Sequence, residues 1–183
     1  MSRSRAASLA AVAALVCAAS AGDAEANGRF PGAGQIALDR ESRDRVVVRT
    51  TFGLLFSDQR GRAPRWVCED SAFFGSGSYD PPIVVAPGGV VLAALVGGVS
   101  RSVDRGCSWS KATGRVDGRY VVDLSLDANG RVIAIALGDF SRGFFAASTD
   151  AGQSFAAVDL PEDIKPLTLD AAPSRPSRIY VSG

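Results

Sequence analysis

Short apolar runs rich in β-branched residues recur along the chain from about residue 34, and turn-forming residues separate them. Such runs, bounded by Pro, Gly, Asn or Asp, predict β-strands joined by tight turns. The most strongly β-branched runs lie at 45–49, 90–94, 131–135 and 178–181. Their continuous apolar character is typical of strands that are buried on both faces. No segment beyond residue 26 has a long apolar period of 3.6 residues, so we predict an all-β fold without helices.

Two eight-residue segments, 102–109 and 148–155, share the pattern S-x-D-x-G-x-x-aromatic, and their first serines are 46 residues apart. A period of 40–50 residues is typical of the blades of a β-propeller. The shared residues are Ser102, Asp104, Gly106 and Trp109 in the first segment, and Ser148, Asp150, Gly152 and Phe155 in the second. A degenerate copy precedes them, with Ser57, Asp58, Gly61 and, after extra residues, Trp66.

Aligned on this motif and on the strand runs, the chain divides into three complete units and one incomplete unit. The units are 34–70, 82–112, 121–158 and 167–183, within one domain of residues 27–183. The first strand runs of three units end in Leu-Asp pairs, which we take as equivalent: Leu38-Asp39, Leu126-Asp127 and Leu169-Asp170. The predicted fold is a partial β-propeller with three four-stranded antiparallel blades and the inner half of a fourth.

In each blade the motif is expected to close the hairpin between the last two strands. A short carboxylate accepts backbone N–H groups well inside a turn, and Gly adopts the left-handed conformation that other residues resist. The aromatic residue covers the base of the hairpin with a large apolar area. The motif therefore predicts a structural loop rather than a catalytic one. A single carboxylate in each turn also lacks the oxygen-rich cluster of a calcium site.

The first 26 residues have the pattern of a secretory signal peptide. Arg3 and Arg5 precede an apolar run at 6–19, and small-x-small cleavage sites lie at 19–21 and 24–26. This pattern predicts export to the extracellular space, the periplasm or the cell surface. Cys17 leaves lipidation open as an alternative, and the apolar run is too short for a stable membrane span.

Charge and composition exclude several classes of function. The chain has 20 Lys and Arg against 19 Asp and Glu and no histidine. Because the charges nearly cancel and form no long run, neither a nucleic acid nor an anionic membrane is expected as a partner. The absence of histidine excludes histidine-based triads, general bases and metal sites from this chain. No cofactor is predicted.

Cys68 and Cys107 remain after removal of the signal peptide. An even number of cysteines in an exported protein makes a disulfide plausible, and we expect a Cys68–Cys107 bridge between the first two blades. The alternative is that the two residues are separate small apolar side chains in strands.

The motif resembles the Asp-box, or bacterial neuraminidase repeat, over roughly residues 34–183. Families that share this repeat include sialidases and other glycosidases, sortilin-type receptors and photosystem II assembly factors. The Asn-Gly-Arg-Phe-Pro stretch at 27–31 is similar to the opening of secreted propeller proteins of Gram-negative bacteria. In these families the box is structural and lies away from the ligand face, so the resemblance implies the fold and no single activity.

The resemblance to sialidases does not extend to the catalytic residues. Such sites need an arginine cluster, and sialidases carry one of these arginines inside Phe-Arg-Ile-Pro. This chain has Arg29-Phe30-Pro31 instead. We therefore predict a non-enzymatic binding or scaffolding protein with a protein or glycan ligand, and no catalytic residues. A sialidase-like glycoside hydrolase is the alternative.

Two loops rich in Gly, Ser and aromatic residues are candidate ligand contacts. They contain Tyr79 in residues 73–79, and Asp139 and Phe140 in residues 138–143. Loops on a rigid scaffold carry recognition in many proteins. The alternative is that their aromatic rings pack against the next blade.

Three and a half blades do not close a ring, since closed propellers have about four to eight. We expect the chain to be a fragment of a longer propeller. Self-assembly of copies into a ring is the alternative if the chain is complete, and a persistent open arc is a third.

Overall fold

The computed structural model describes residues 30, 32–72, 80–138, 142–159, 165–172, 174–175 and 177–183. The chain divides into two compact units, Met1–Phe30 and Pro31–Gly183, and the elements below belong to the second. The signal-peptide segment and the candidate contact residues Tyr79, Asp139 and Phe140 lie outside the described residues.

Four sheets follow one another in chain order, and we call them blades 1 to 4. Blade 1 contains β1 (Ala33–Leu38), β2 (Val46–Thr50), β3 (Gly53–Ser57) and β4 (Arg65–Cys68). Blade 2 contains β5 (Ile83–Ala86), β6 (Val90–Leu95), β7 (Gly98–Ser102) and β8 (Ser110–Lys111). Blade 3 contains β10 (Tyr120–Leu126), β11 (Val132–Leu137), β12 (Gly143–Ser148) and β13 (Ser154–Asp159). Blade 4 contains β14 (Thr168–Ala171) and β15 (Ile179–Ser182).

Consecutive strands within each blade pair antiparallel, as the short turns between them require. Blade 3 has one additional strand, β9 (Thr113–Gly114), which pairs in parallel with β13 at the edge of the sheet. The segment that follows blade 2 thereby hydrogen-bonds to blade 3. Two 3₁₀ turns, Glu69–Ala72 and Pro87–Gly89, are the helical elements among the described residues. Within those residues, no helix has the length and apolar character needed to cross a bilayer.

The core consists of three apolar layers between neighbouring blades. The layer between blades 1 and 2 contains Val47 and Leu54 from one side and Ile83 and Val91 from the other. The largest layer lies between blades 2 and 3, and a smaller one lies between blades 3 and 4. We call the face of a blade that meets the next blade its front face, and the other its back face. Because blades 2 and 3 bury both faces, their central strands are continuously apolar, as the sequence predicts.

The strand pairing gives the equivalences between blades. Val46, Val91 and Val132 each lie opposite the serine that ends the third strand, namely Ser57, Ser102 and Ser148. Leu38 pairs with Val46, Val85 with Val91 and Leu126 with Val132. These sets therefore occupy the same positions in blades 1, 2 and 3.

The expected equivalence of the three Leu-Asp pairs is wrong for the fourth unit. The amide of Ala172 donates to the carbonyl of Arg178, as the amide of Asp127 donates to that of Arg131. Ala171 pairs with Ile179, so Ala171 is the equivalent of Leu126. Leu169-Asp170 thus lies two residues earlier than the alignment assumed. A shift of two residues keeps the same side chains on the same face, which is why the apolar pattern did not reveal it.

The expected disulfide is also wrong, because Cys68 and Cys107 are free thiols in the structure. Cys68 ends β4 and is half-buried, whereas Cys107 is exposed in the loop between β7 and β8. A disulfide needs Cα atoms within about 7 Å, and an even number of cysteines does not specify how far apart they lie.

Candidate functional site

The loop between β7 and β8 is organised around the carboxylate of Asp104. Ser108 donates its amide to Asp104 Oδ1 at 2.8 Å and its hydroxyl to Oδ2 at 2.5 Å. The hydroxyl of Ser102 donates to Oδ1 at 2.9 Å and accepts the amide of Gly106 at 2.7 Å. Gly106 has a φ of +80°, which only Gly adopts readily. The carboxylate and the serine hydroxyl therefore satisfy the inward-pointing amides of a tight turn.

The loop between β12 and β13 repeats this arrangement around Asp150. Gln153 and Ser154 donate their amides to Asp150 Oδ1 at 3.0 Å each, and the Ser154 hydroxyl donates to Oδ2 at 2.5 Å. Ser148 donates to Oδ1 at 2.6 Å and accepts the amide of Gly152 at 2.8 Å. The same chemistry thus recurs one blade later.

These hydrogen bonds lower the pKa of both carboxyl groups. The hydroxyl of Ser108, followed by its amide, lowers the pKa of Asp104 to about 2. For Asp150, burial raises the pKa, but hydrogen bonds from Ser148, Ser154 and Gln153 outweigh it and lower the pKa to about 2. Both groups are ionised near neutral pH with their oxygens bound within their own loop, an arrangement that suits holding a turn.

The degenerate loop of blade 1 keeps the serine and loses the carboxylate. Ser57 accepts the amide of Gly61 at 3.0 Å, as its equivalents do. Asp58 directly follows the first serine of its motif, whereas Asp104 lies two residues after its serine. Asp58 pairs outside its loop with Arg45 at 3.3 Å and with Arg105 at 2.8 Å. Asp58 therefore joins the turns of blades 1 and 2 instead of organising its own turn.

The aromatic residues of the three loops differ in position. Phe155 is buried in the layer between blades 2 and 3, and Trp109 donates its indole N–H to the carbonyl of Gly106 at 3.2 Å. Trp66 lies exposed on the back face of blade 1 and donates to the carbonyl of Phe52 at 3.1 Å.

Each motif loop also contacts the preceding blade. A Cβ atom added at Gly106 would lie 2.8 Å from the ring of Phe56, and one added at Gly152 would lie 2.6 Å from Leu92. The residue before each glycine has a positive φ and its carbonyl accepts a hydrogen bond from an arginine of the preceding blade. Arg65 donates to the carbonyl of Arg105, and Arg101 donates to that of Ala151 at 3.1 Å. The loops are therefore parts of the interface between blades.

Sequence reasoning missed two members of these loops, Ser108 and Ser154. Both occupy the position before the aromatic residue, which the pattern left unspecified. The signal was present, because serine stands at that position in both well-formed copies. The arginine contacts between blades had no comparable signal, since their donors lie on different strands.

A second region, the axial cleft, lies where the inner strands β1, β5, β10 and β14 meet. Its volume is about 380 Å³, and the polar side chains that line it include Arg40, Asp123, Ser125 and Asp170. A volume of this order is at the small end of ligand pockets. Within the described ranges, no group of three His, Cys, Asp or Glu side chains is placed to hold a metal ion.

Side chains around the axial cleft connect one blade to another. Gln35 both donates to the carbonyl of Ile83 at 2.8 Å and accepts its amide at 2.9 Å. Asp123 Oδ2 accepts the amide of Leu169 at 2.9 Å and the hydroxyl of Thr168 at 2.6 Å. These bonds fix the relative positions of the inner strands.

Two further contacts complete the cleft. Arg40 extends from blade 1 to blade 3, where it donates to the carbonyls of Asp127 at 2.5 Å and Leu126 at 3.1 Å. Ser125 donates to Asp170 Oδ1 at 3.2 Å, and Asp170 is otherwise exposed to the cleft. The cleft therefore has rigid walls and an accessible carboxylate.

Comparison with known proteins finds structures of similar fold, but no family model and no curated protein matches the chain. The GH74 enzyme of Niastella koreensis aligns over 75% of this chain with a TM-score of 0.58 and 16% identity. An ancestral GH74 enzyme aligns over 79% with a TM-score of 0.58 and 16% identity. YCF48 bound to a D1 peptide aligns over 82% with a TM-score of 0.53 and 14% identity.

These neighbours are β-propellers, and the likeness confirms the prediction of an all-β partial β-propeller. The chain spans 24%, 22% and 46% of the length of the three neighbours in the order given above. At such low identity the comparison establishes the fold and not the activity. The neighbours themselves include both enzymes and a peptide-binding protein.

Proposed function

We propose that this chain is part of an exported, non-enzymatic β-propeller of the Asp-box type that binds a polypeptide through its axial cleft. The observation that carries the proposal is the exposed carboxylate of Asp170, held by Ser125 in a cleft that four inner strands line. Ionised carboxylates form strong hydrogen bonds with Lys and Arg side chains. The ligand proposed is an extended segment with a basic side chain that enters the cleft.

Rigid walls support a binding role, since a pre-organised site loses little freedom when its ligand binds. The hydrogen bonds of Gln35, Arg40 and Asp123 to the main chain of other blades supply this rigidity. The YCF48 structure, which contains a D1 peptide, is a precedent for a peptide ligand on a similar fold. The assignment to the Asp-box type rests on the loops around Asp104 and Asp150, which share the contacts of the aspartate with two serines and of the first serine with the glycine amide.

The binding proposal is tested by fluorescence anisotropy with labelled six-residue peptides that carry a central lysine. Asp170→Asn keeps an oxygen for the Ser125 hydroxyl and removes the charge, so the affinity should fall about tenfold, the equivalent of about 1.4 kcal/mol. Asp117→Asn is the matched control, because Asp117 is an exposed aspartate in a turn away from the cleft. Equal affinities for the two variants, or no preference for lysine over acetyl-lysine, would contradict the proposal.

A glycoside hydrolase is the second candidate, because the cleft contains the two carboxylates Asp123 and Asp170. Glycosidases use a pair of carboxylates on either side of the scissile bond. Hydrolysis of fluorogenic glycosides, lost in both Asp123→Asn and Asp170→Asn, would favour this candidate over peptide binding.

Export is proposed on the pattern of the first 26 residues. The intact mass of the protein isolated from its producing cells tests it. A chain that begins at residue 22 or 27 is expected, and a protein that retains Met1 in the cytoplasmic fraction would refute export.

A further inference from the structure

The motif loop of blade 1 has the same length as the other two motif loops but a different content. The residues that flank each loop pair with each other across the hairpin: Phe56 with Arg65, Arg101 with Ser110, and Ala147 with Ala156. Ala63 and Pro64 therefore hold the positions that a serine and an aromatic residue hold in blades 2 and 3. The loop of blade 1 keeps the first serine contact but lacks the aspartate contacts and the ring that complete the other two loops.

A groove of about 490 Å³ lies between this loop and the motif loop of blade 2. Both blades have four strands, so the groove belongs to the junction of two complete units. We call it the motif groove, and its lining includes Phe56, Asp58, Ala63, Arg65, Val103 and Arg105. Its volume is within the range of pockets that bind ligands.

Arg65 is held in the motif groove by two contacts. Its guanidinium stacks on the ring of Phe56, with Cζ 5.3 Å from the ring centroid, and donates to the carbonyl of Arg105. A guanidinium carries several N–H donors in a planar fork, so most of them remain available for a ligand. In the described part of the chain, neither Arg65 nor the exposed Arg62 of the same loop has a carboxylate partner.

The two carboxylates that line the motif groove are already engaged. Asp58 lies between Arg105 at 2.8 Å and Arg45 at 3.3 Å. The oxygens of Asp104 accept hydrogen bonds from two serines of its own loop. Arg65 is therefore the charged group of this lining that has no group of opposite charge beside it.

Apolar side chains lie in the same groove. Val103 is 58% exposed, although the equivalent positions in blades 1 and 3 are the polar residues Asp58 and Thr149. Ala63 is also exposed and has a φ of +43°, a conformation that costs a residue with a Cβ atom about 1–2 kcal/mol. Backbone strain of this kind is concentrated at ligand sites in folded proteins. Closing the turn explains neither the exposed valine nor the strained alanine.

We propose that the motif groove binds an acidic polypeptide segment, with a Glu or Asp carboxylate on Arg65 and an adjacent apolar side chain on Val103 and Ala63. Arginine binds a carboxylate through two parallel N–H···O bonds. The apolar contact beside it favours a polypeptide over an acidic polysaccharide, which has no aliphatic side chain to bury there. The motif groove is separate from the axial cleft, so this inference does not depend on the proposed function.

Fluorescence anisotropy of the full chain with a labelled eight-residue peptide that has a central Glu-Leu pair tests the proposal. Gln in place of the peptide's Glu, or Arg65→Gln in the protein, should each weaken binding about tenfold. Arg115→Gln is the matched control and should leave the affinity unchanged, because Arg115 stacks on Phe144 at the same 5.3 Å but does not line the motif groove. Absence of binding, or equal affinities for the two variants, overturns the proposal.

Val103→Asp tests the site without altering the packing of Arg65. Because Val103 is an exposed loop residue, the circular dichroism spectrum should stay unchanged, while the new charge should weaken binding of the Glu-Leu peptide about tenfold. This variant decides the question should Arg65→Gln lose the β-sheet spectrum, and an unchanged affinity contradicts the proposal. A peptide with Glu-Ser should bind about fivefold more weakly than the Glu-Leu peptide. Equal affinities for these two peptides, with displacement of both by an acidic polysaccharide, would indicate a general polyanion site and overturn the assignment to a polypeptide.

Cys107 gives a readout at the groove itself. It is exposed and lines the motif groove, whereas Cys68 is half-buried and does not. At a peptide concentration about ten times the Kd, maleimide labelling of Cys107 should slow about tenfold and labelling of Cys68 should not change. Unchanged labelling of Cys107 at that concentration would show that the peptide binds elsewhere and would overturn the assignment of the site.

Discussion

Replacing the motif glycines by alanine separates two effects that the structure combines, the local turn conformation and the contact between blades. Gly61, Gly106 and Gly152 follow the first serine of their loops by four residues and have φ values of +85°, +80° and +78°. Their surroundings differ. Nothing lies within 4 Å of a Cβ added at Gly61, whereas one added at Gly106 or Gly152 would contact Phe56 or Leu92 below 3 Å.

The expected cost follows from these two observations. An alanine in the left-handed region costs about 1–2 kcal/mol. Overpacking a methyl group into a tight interior costs a further 1–3 kcal/mol or so. Gly61→Ala should therefore destabilise the protein by about 1–2 kcal/mol, and Gly152→Ala by about 2–5 kcal/mol. Gly152→Ala is expected to be the more severe of the two close-contact variants, because Leu92 is fully buried whereas Phe56 is 7% exposed.

Urea unfolding followed by tryptophan fluorescence measures these differences, with circular dichroism as a second probe of the same transition. Gly61→Ala is the matched control for conformation alone, since its loop shares the serine contact. Equal losses in all three variants would refute the reasoning, because they would show that the contact with the preceding blade contributes nothing. Gly106→Ala should lose less stability when it is combined with Phe56→Leu, because the smaller leucine makes room for the new methyl group.

Three further predictions concern the loops and the thiols. The pKa values of Asp104 and Asp150, about 2 in the folded protein, lie below the usual 3.8, so the stabilisation by these carboxylates is present above about pH 4 and is lost as the pH falls towards 2. In the double variant Asp104→Asn and Asp150→Asn, the urea concentration at the midpoint of unfolding should therefore depend less on pH over this range. A midpoint that falls with pH as steeply as in the unaltered protein would contradict this prediction. Ser108→Ala should raise the pKa of Asp104 in an NMR titration, whereas Ser110→Ala should leave it unchanged; no shift in the first variant counts against the assigned cause. Because Cys68 and Cys107 are free, the thermal midpoint of unfolding should not change when a reductant is added. A midpoint that falls on adding the reductant would indicate that the disulfide is present after all.

The sequence was sufficient to predict the blades because their pattern is local. Runs such as 131–135 are long enough to indicate buried strands, and the motif around Asp104 closes a hairpin with residues that are close in sequence. The prediction that depended only on matching one unit to another was wrong. Leu169-Asp170 has the same residue types as Leu126-Asp127, but the strand pairing and hydrogen bonds show that Ala171 is the equivalent of Leu126.

The candidate site was less predictable, since it is assembled from distant residues. Arg40 and Leu126 are 86 residues apart, and nothing in the pattern relates them. The axial cleft exists only because four inner strands converge, so the carboxylates of Asp123 and Asp170 were not distinguished from other acidic residues at strand ends. The disulfide prediction failed for a related reason, because the number of cysteines does not specify the distance between them in the fold.

The arginine contacts between blades have a consequence for reading related sequences. Phe56 and Arg101 hold equivalent positions on the third strand, and Arg65 and Ser110 are their partners on the fourth. Blade 1 supplies its arginine from the fourth strand, whereas blade 2 supplies it from the third. An alignment made strand by strand would score both columns as variable, although every relative could retain the contact. Related sequences should therefore be compared by whether an arginine occupies either position of this cross-strand pair, the third-strand position or the fourth-strand position.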